Sequence, residues 1–258
     1  MDNMRLANLF RLNRHGTGSP MRERIYAIGD IHGRLDLLRA LLIAIEVDAL
    51  ARAPMPTRVV ILGDFIDRGP DSRKLMTIFA KEKSSRVVVL KGNHEAALVD
   101  ALRGDHDAMD LWMAYGGAAT LRSFGAAETE LDPDDSRALI ELARNIIPKN
   151  LVVWLERLPV YYRRGPYYFV HAGVRPGVSL ERQSVDDQLW IRDEFTQSTS
   201  DHGAVIVHGH SINEGGAVFC PNRIGVDTGA YRTEVLSAVG LEADNQWAVT
   251  NRMPASFC

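Results

Sequence analysis

Five times along this chain, a short apolar run ends abruptly in a cluster of aspartate, histidine or asparagine. Ile25 to Ile28 runs into GDIHGR (Gly29 to Arg34), and Val59 to Leu62 runs into GDFIDRG (Gly63 to Gly69). Arg86 to Leu90 ends in KGNHE (Lys91 to Glu95), Tyr167 to Val170 in HAG (His171 to Gly173), and Ala204 to Val207 in HGHS (His208 to Ser211). A buried strand end that carries charge is costly unless something pairs that charge. One such loop, GDFIDRG for instance, reads equally well as a polar turn with an internal Asp–Arg ion pair. Five of them at five strand ends are hard to explain by chance.

Between the first three clusters the period changes. Leu38, Leu41, Leu42, Ile45 and Ala49 recur at three- and four-residue spacing, which predicts a helix with one apolar face, ended by Pro54 and Pro56. A second helix is predicted after Pro70, through Leu75, Ile78 and Phe79 to about Lys83, and a third from Glu95 to Gly104. Strand, loop and helix in threefold succession predict an α/β protein with a largely parallel sheet and its site at the strand C-terminal ends. Residues 105–158 predict a helical insertion beside the sheet, with Trp112 and Tyr115 expected in core packing. After Ser211, alternating segments predict an antiparallel β-meander closing a second sheet. Residues 1–20, ending in Gly16-Thr17-Gly18-Ser19-Pro20, are expected to be a flexible tail before an ordered unit over 21–258.

With 46% hydrophobic and 24% charged residues, the 258-residue composition is that of an ordinary globular protein. A net charge of -3 gives no global attraction to nucleic acid or an anionic membrane, and neither is expected as a partner. Two cysteines, Cys220 and Cys258, make neither a disulfide framework nor a thiolate metal site. No apolar run approaches the ~20 residues of a spanning helix, and the first twenty residues lack a secretory core. A cytoplasmic location is therefore expected.

The strand-end side chains Asp30, His32, Asp64, Asn93, His94, His171, His208 and His210 are all oxygen or nitrogen ligands. Such a set, without thiolate, suits Mn²⁺, Fe²⁺ or Zn²⁺. In Asp30-Ile31-His32, alternation along an extended segment directs both polar side chains to one side.

Taken in order, the five clusters resemble the motifs of the phosphoprotein-phosphatase branch of the calcineurin-like metallophosphoesterases, bacterial members included. The resemblance spans residues 29–211. It implies a metallophosphatase sandwich of two mixed β-sheets flanked by helices, holding two divalent ions, manganese first, with iron or zinc also fitting. By motif position, Asp30 and His32 bind one metal, Asp64 bridges both, and Asn93, His171 and His210 complete the second. His94 is the implied general acid, oriented by Asp67. Asn93 and Arg68 are the implied phosphate contacts, and Arg192 resembles a second phosphate-clamping arginine, since a guanidinium can hold two phosphoryl oxygens at once. His208 is expected to support the site from outside the ligand set. The implied reaction is hydrolysis of phosphoserine or phosphothreonine in a phosphoprotein, or of another phosphate monoester. The alternative is symmetrical hydrolysis of diadenosine tetraphosphate. A nuclease is disfavoured because the chain lacks a basic groove signature and carries Asp67-Arg68. A non-catalytic scaffold should have lost ligands, and none of the expected ones is missing. No obligate partner is implied.

Overall fold

The computed structural model describes residues 23–252, so the tail predicted over 1–20 lies outside the described residues. The chain begins with β1 (Arg24–Ile28), α1 (Leu35–Leu50), β2 (Thr57–Ile61), α2 (Ser72–Lys81) and β3 (Val87–Val89). Five helices follow: α3 (Asn93–Arg103), α4 (His106–Ala114), α5 (Gly117–Phe124), α6 (Ser136–Ile146) and α7 (Lys149–Glu156). Then come β4 (Tyr161–Arg164), β5 (Tyr167–Val170), the short helices α8 (Val185–Trp190) and α9 (Asp193–Thr196), and β6 (Val205–His208). The chain closes with β7 (Val218–Phe219), β8 (Arg223–Gly225), α10 (Ala230–Thr233), β9 (Ser237–Glu242) and β10 (Asn245–Thr250).

Two mixed five-stranded sheets result, in the orders β10-β9-β1-β2-β3 and β4-β5-β6-β8-β7. β1 is buried along its whole length, and its backbone groups need partners on both edges. β2 pairs with it in parallel on one side and β9 antiparallel on the other. That requirement divides the expected C-terminal meander. β7 and β8 pair antiparallel in the second sheet, whereas β9 and β10 return to the first.

The alternation of the strands sets the layers. Ile25, Ala27, Val60 and Leu62 meet Phe169, Val207 and Ile224 between the two sheets. Tyr26, Ile28, Val59 and Ile61 point outward into a larger core with Leu38, Leu41, Leu75, Leu98 and the insertion residues Trp112, Leu121 and Leu139. Tyr168, Val170 and Ile206 pack under Ile191 and Phe195 on the far face. The insertion therefore shares its core with the first sheet. Its helices are capped as their sequence suggests: the Asp105 and Asp135 carboxylates accept the amides of Ala108 and Ala138. Because β1, β2 and β3 are parallel, as are β5, β6 and β8, their C-terminal ends bring the polar clusters together at one edge. Among the described residues, no helix is long and apolar enough to cross a membrane.

Candidate metal centre

The backbone at these strand ends is unusual. Among the described residues seven non-glycine positions have positive φ, and five belong to the clusters: His32, Asp64, Asp67, Arg68 and His210. Left-handed backbone costs of order 1–3 kcal/mol at such residues and persists where surrounding contacts impose it. Here it turns side chains out of strand alternation and into a common pocket.

Two groups of donors converge there, each with its ligand atoms within 4.8 Å of one another: His32, Asp64 and His94, and Asp64, His171 and His210. Asp64 belongs to both, as expected of a bridging carboxylate. His171 Nδ1–H donates to the Leu62 carbonyl at 2.9 Å, so its Nε2 presents a lone pair. That lone pair faces Asn93 Oδ1 at 2.8 Å, His210 Nδ1 at 3.2 Å and Asp64 Oδ2 at 3.4 Å. The two oxygens and the His171 lone pair repel at these distances unless a cation lies among them. His32 is fixed the same way, its Nδ1–H donating to the Ile66 carbonyl at 2.9 Å. A histidine held through its other ring nitrogen by a carbonyl is the arrangement of a metal ligand. Burial holds His32, His171 and His210 below the ordinary histidine pKa. Burial opposes the charge on Asp64, but His171, His94 and His32 outweigh it and keep its pKa low. The donor set fits divalent cations.

Asp30 stands apart. It is buried but lies outside both groups, and its carboxylate accepts the His210 amide at 3.2 Å. Burial pushes its carboxyl up, and the charges of Asp227 and Asp64 add to that. Asp227, at the end of β8, is a carboxylate the sequence reading passed over, although it obeys the same strand-end rule.

One member of the first donor group, His94, is also paired with a second carboxylate. The Asp67 carboxylate accepts His94 Nδ1–H at 2.7 Å, while His94 Nε2 points back toward Asp64 Oδ2 at 3.7 Å. Burial disfavours a charged His94, but Asp64 and the bond to Asp67 outweigh it and raise the pKa above the ordinary value. Arg68 places a guanidinium nitrogen 3.3 Å from His94 Nε2 and lies over the Tyr231 ring at 4.3 Å. Its charge reaches Asp30, His32 and His94, whereas Arg192 reaches His171 and His210 from another flank. Arg192 is exposed and its side chain makes no hydrogen bond among the described residues.

Three sequence expectations are modified. His208 makes no bond to any ligand side chain. Its Nδ1–H donates to the adjacent Gly209 carbonyl and its ring abuts Phe195, because the left-handed turn at His210 breaks the alternation that would have paired the two. Trp112 is buried in the core as expected, yet its indole N–H also donates to Asp67 at 2.8 Å. Tyr115 is partly exposed, and its ring lies 6.0 Å from that of His94 and 6.4 Å from that of Trp190. Glu95, quoted in its motif but given no role, is buried and accepts the amides of Asp64, Phe65, Ile66 and Gly92. A helix predicted to start at Glu95 hides that role, which follows from the observed start at Asn93, with Glu95 as the third residue.

The chain is thus a two-sheet sandwich with candidate metal donors gathered at its strand ends. The chain belongs to the calcineurin-like phosphoesterase family, whose model matches residues 23–236. It is 30% identical over 157 residues to a symmetrical bis(5'-nucleosyl)-tetraphosphatase of Aromatoleum aromaticum, covering 61% of this chain and 46% of that protein. It is 32% identical over 177 residues to serine/threonine-protein phosphatase 1 of Salmonella typhimurium, covering 67% of this chain and 70% of the relative. The chain thus spans about half the length of the tetraphosphatase relatives it matches. In fold it is similar to a solved structure assigned as a diadenosine tetraphosphatase, with a TM-score of 0.58 at 21% identity over 90% of this chain and 95% of that one.

Proposed function

We propose that the chain hydrolyses phosphate monoesters, phosphoserine and phosphothreonine in proteins first among them, with His94 as general acid. The observation that carries this reading is the His94–Asp67 pair beside Asp64, with Arg68 in reach of the same imidazole. Divalent ions at such a site supply an activated water and polarise phosphoryl oxygens, and manganese is the ion we propose. Asp64 holds the two donor groups together, with His32 on one side and Asn93, His171 and His210 on the other. Asp30 completes the first group, although its carboxylate is turned to the His210 amide. Arg68 and Arg192 would bring positive charge from two flanks to the non-bridging phosphoryl oxygens, and Asn93, whose Oδ1 lies 2.8 Å from His171 Nε2, would serve both metal and phosphate. With its Nδ1–H given to Asp67, His94 turns Nε2, which Arg68 also approaches, toward the site, where it would carry the proton that the departing oxygen takes.

A second reading, cleavage of a dinucleoside polyphosphate, is favoured by two observations. Relatives bearing that activity in their names are matched across 61% of the chain. Three aromatic rings, Tyr115, Trp190 and Tyr231, also surround the histidines, with Trp190 6.5 Å from His210 and Tyr231 5.4 Å from His32. Such rings offer faces on which a base can stack. The deciding experiment is side-by-side turnover, with Mn²⁺, of a phosphoserine peptide, a phosphotyrosine peptide and diadenosine tetraphosphate. The first reading expects the phosphoserine peptide to have the highest kcat/KM. Exclusive use of the dinucleotide would overturn it in favour of the second.

A further inference from the structure

Asp67 is fully buried, and His94 is not its only partner. One carboxylate oxygen accepts both His94 Nδ1–H at 2.7 Å and the Trp112 indole N–H at 2.8 Å. The other accepts the Thr120 hydroxyl at 2.5 Å. The Asp67 amide in turn donates to Ser72 Oγ at 2.9 Å and Thr120 Oγ1 at 3.1 Å. Trp112 and Thr120 are themselves fully buried, and they belong to α4 and α5 of the insertion, 45 and 53 residues from Asp67 in sequence.

The turn between those helices completes the arrangement. The Gly116 carbonyl accepts the Arg68 amide at 3.2 Å, and the Tyr115 carbonyl accepts Arg68 Nε–H at 3.3 Å. A Cβ on Gly116 would lie 2.9 Å from Arg68 Cγ, and one on Gly117 would lie 2.5 Å from the Trp112 ring. The glycine pair lets the turn between α4 and α5 press against Arg68 and Trp112 together. Asp67 and Arg68, at φ of 70° and 63°, sit in left-handed backbone that needs such imposed contacts.

We infer that the insertion is a positioning device for the proton donor: Trp112 and Thr120 lock the Asp67 carboxylate, and through it His94. This rests on the reading of His94 as general acid. A carboxylate held by His94 alone is free to rotate about its terminal torsion. With donors on both oxygens it has one orientation, and the imidazole it holds has one tautomer. Among the described residues, the hydrogen bonds of the Trp112 and Thr120 side chains go to Asp67 and Ser72 and not to the donor groups. Trp112 and Thr120 are positioning residues.

The test compares phenyl phosphate, whose leaving oxygen needs protonation, with p-nitrophenyl phosphate, whose leaving group departs unprotonated. The full chain with Mn²⁺ is assayed as wild type, Trp112→Phe, Thr120→Val, Thr120→Ser and His94→Asn. For Trp112→Phe and Thr120→Val we expect kcat on phenyl phosphate to fall about tenfold or more, against a loss under about threefold on p-nitrophenyl phosphate. KM and bound Mn²⁺ should be unchanged, and Thr120→Ser, which keeps the hydroxyl, should restore the wild-type ratio. Equal losses on both substrates, or no loss in either variant, would overturn the inference. If His94→Asn shows the leaving-group bias and the two insertion variants do not, only the inference falls. If His94→Asn shows no bias, the general-acid reading falls and the inference with it.

Discussion

Gly63 and Gly69 frame the loop that holds Asp64, Asp67 and Arg68, and both act as contacts between loops. A Cβ on Gly69 would stand 2.4 Å from the His32 carbonyl oxygen and 2.8 Å from the Gly33 carbonyl carbon. One on Gly63 would stand 2.6 Å from the Gly92 nitrogen, at a φ of 98° that side chains rarely adopt. These neighbours are backbone and cannot swing aside. Gly69→Ala should therefore cost about 1–3 kcal/mol by overpacking, measured as a lower urea midpoint, and should reduce Mn²⁺ retention by displacing His32. A variant with wild-type midpoint and metal content would show that the loops have slack. The residues proposed as ligands stand out because each follows an apolar run: Asp30, His32, Asp64, Asn93, His171 and His210 all lie buried just past strand ends. Asp227 follows the same rule and was readable by it. Trp112 and Thr120 were not. Periodicity places them on a buried helix face, but nothing in it says that an indole N–H and a hydroxyl meet a carboxylate some fifty residues away in sequence.

At the scale of elements, α3 starts at Asn93, two residues before its predicted origin at Glu95, so Asn93 and His94 stand on a helical first turn. Glu95 accounts for that start. One of its oxygens accepts Asp64 N–H and Gly92 N–H at 2.9 and 2.8 Å, the other Phe65 N–H and Ile66 N–H at 3.0 and 3.2 Å. A single side chain thereby ties the loop after β2 to the helix after β3. Glu95→Gln would turn an amide group toward two of these N–H donors, at a cost of about 1–3 kcal/mol for buried groups left unpaired. Because Asp64 loses its support, Mn²⁺ affinity should drop roughly 10–100-fold, read by titration calorimetry, while Glu95→Asp should restore neither. Unchanged affinity in Glu95→Gln would exclude this coupling. The strands of the C-terminal region were legible by alternation, but their division between sheets was not. It follows from the bare edge of β1, a property of a strand more than two hundred residues earlier.

At the scale of the molecule, the first sheet is fastened to its helical layer through Asp48 on α1. Its carboxylate accepts Tyr26 O–H from β1 at 2.5 Å, Trp247 Nε1–H from β10 at 2.9 Å and Arg52 Nε–H at 3.0 Å, and the Arg52 guanidinium lies 3.5 Å over the Trp247 ring. Burial opposes the Asp48 charge, yet the bonds from Arg52, Tyr26 and Trp247 outweigh it and lower its pKa. A carboxyl lowered in the folded state adds stability above its unfolded pKa of about 3.9, and that stability is lost as pH falls through the lower folded value. The difference in unfolding free energy between wild type and Asp48→Ala should thus be about 1–3 kcal/mol at pH 7 and shrink steadily below about pH 4. A difference independent of pH would mean that packing, not the charge, makes the link. The fold brings Asp64 between two groups of nitrogen and oxygen donors. The most direct test is to strip the protein with chelator, restore it with measured Mn²⁺, and follow metal content and phosphate ester hydrolysis together. Hydrolysis should vanish on stripping and return as two ions bind per chain. Full activity in the stripped protein would contradict the metal centre outright.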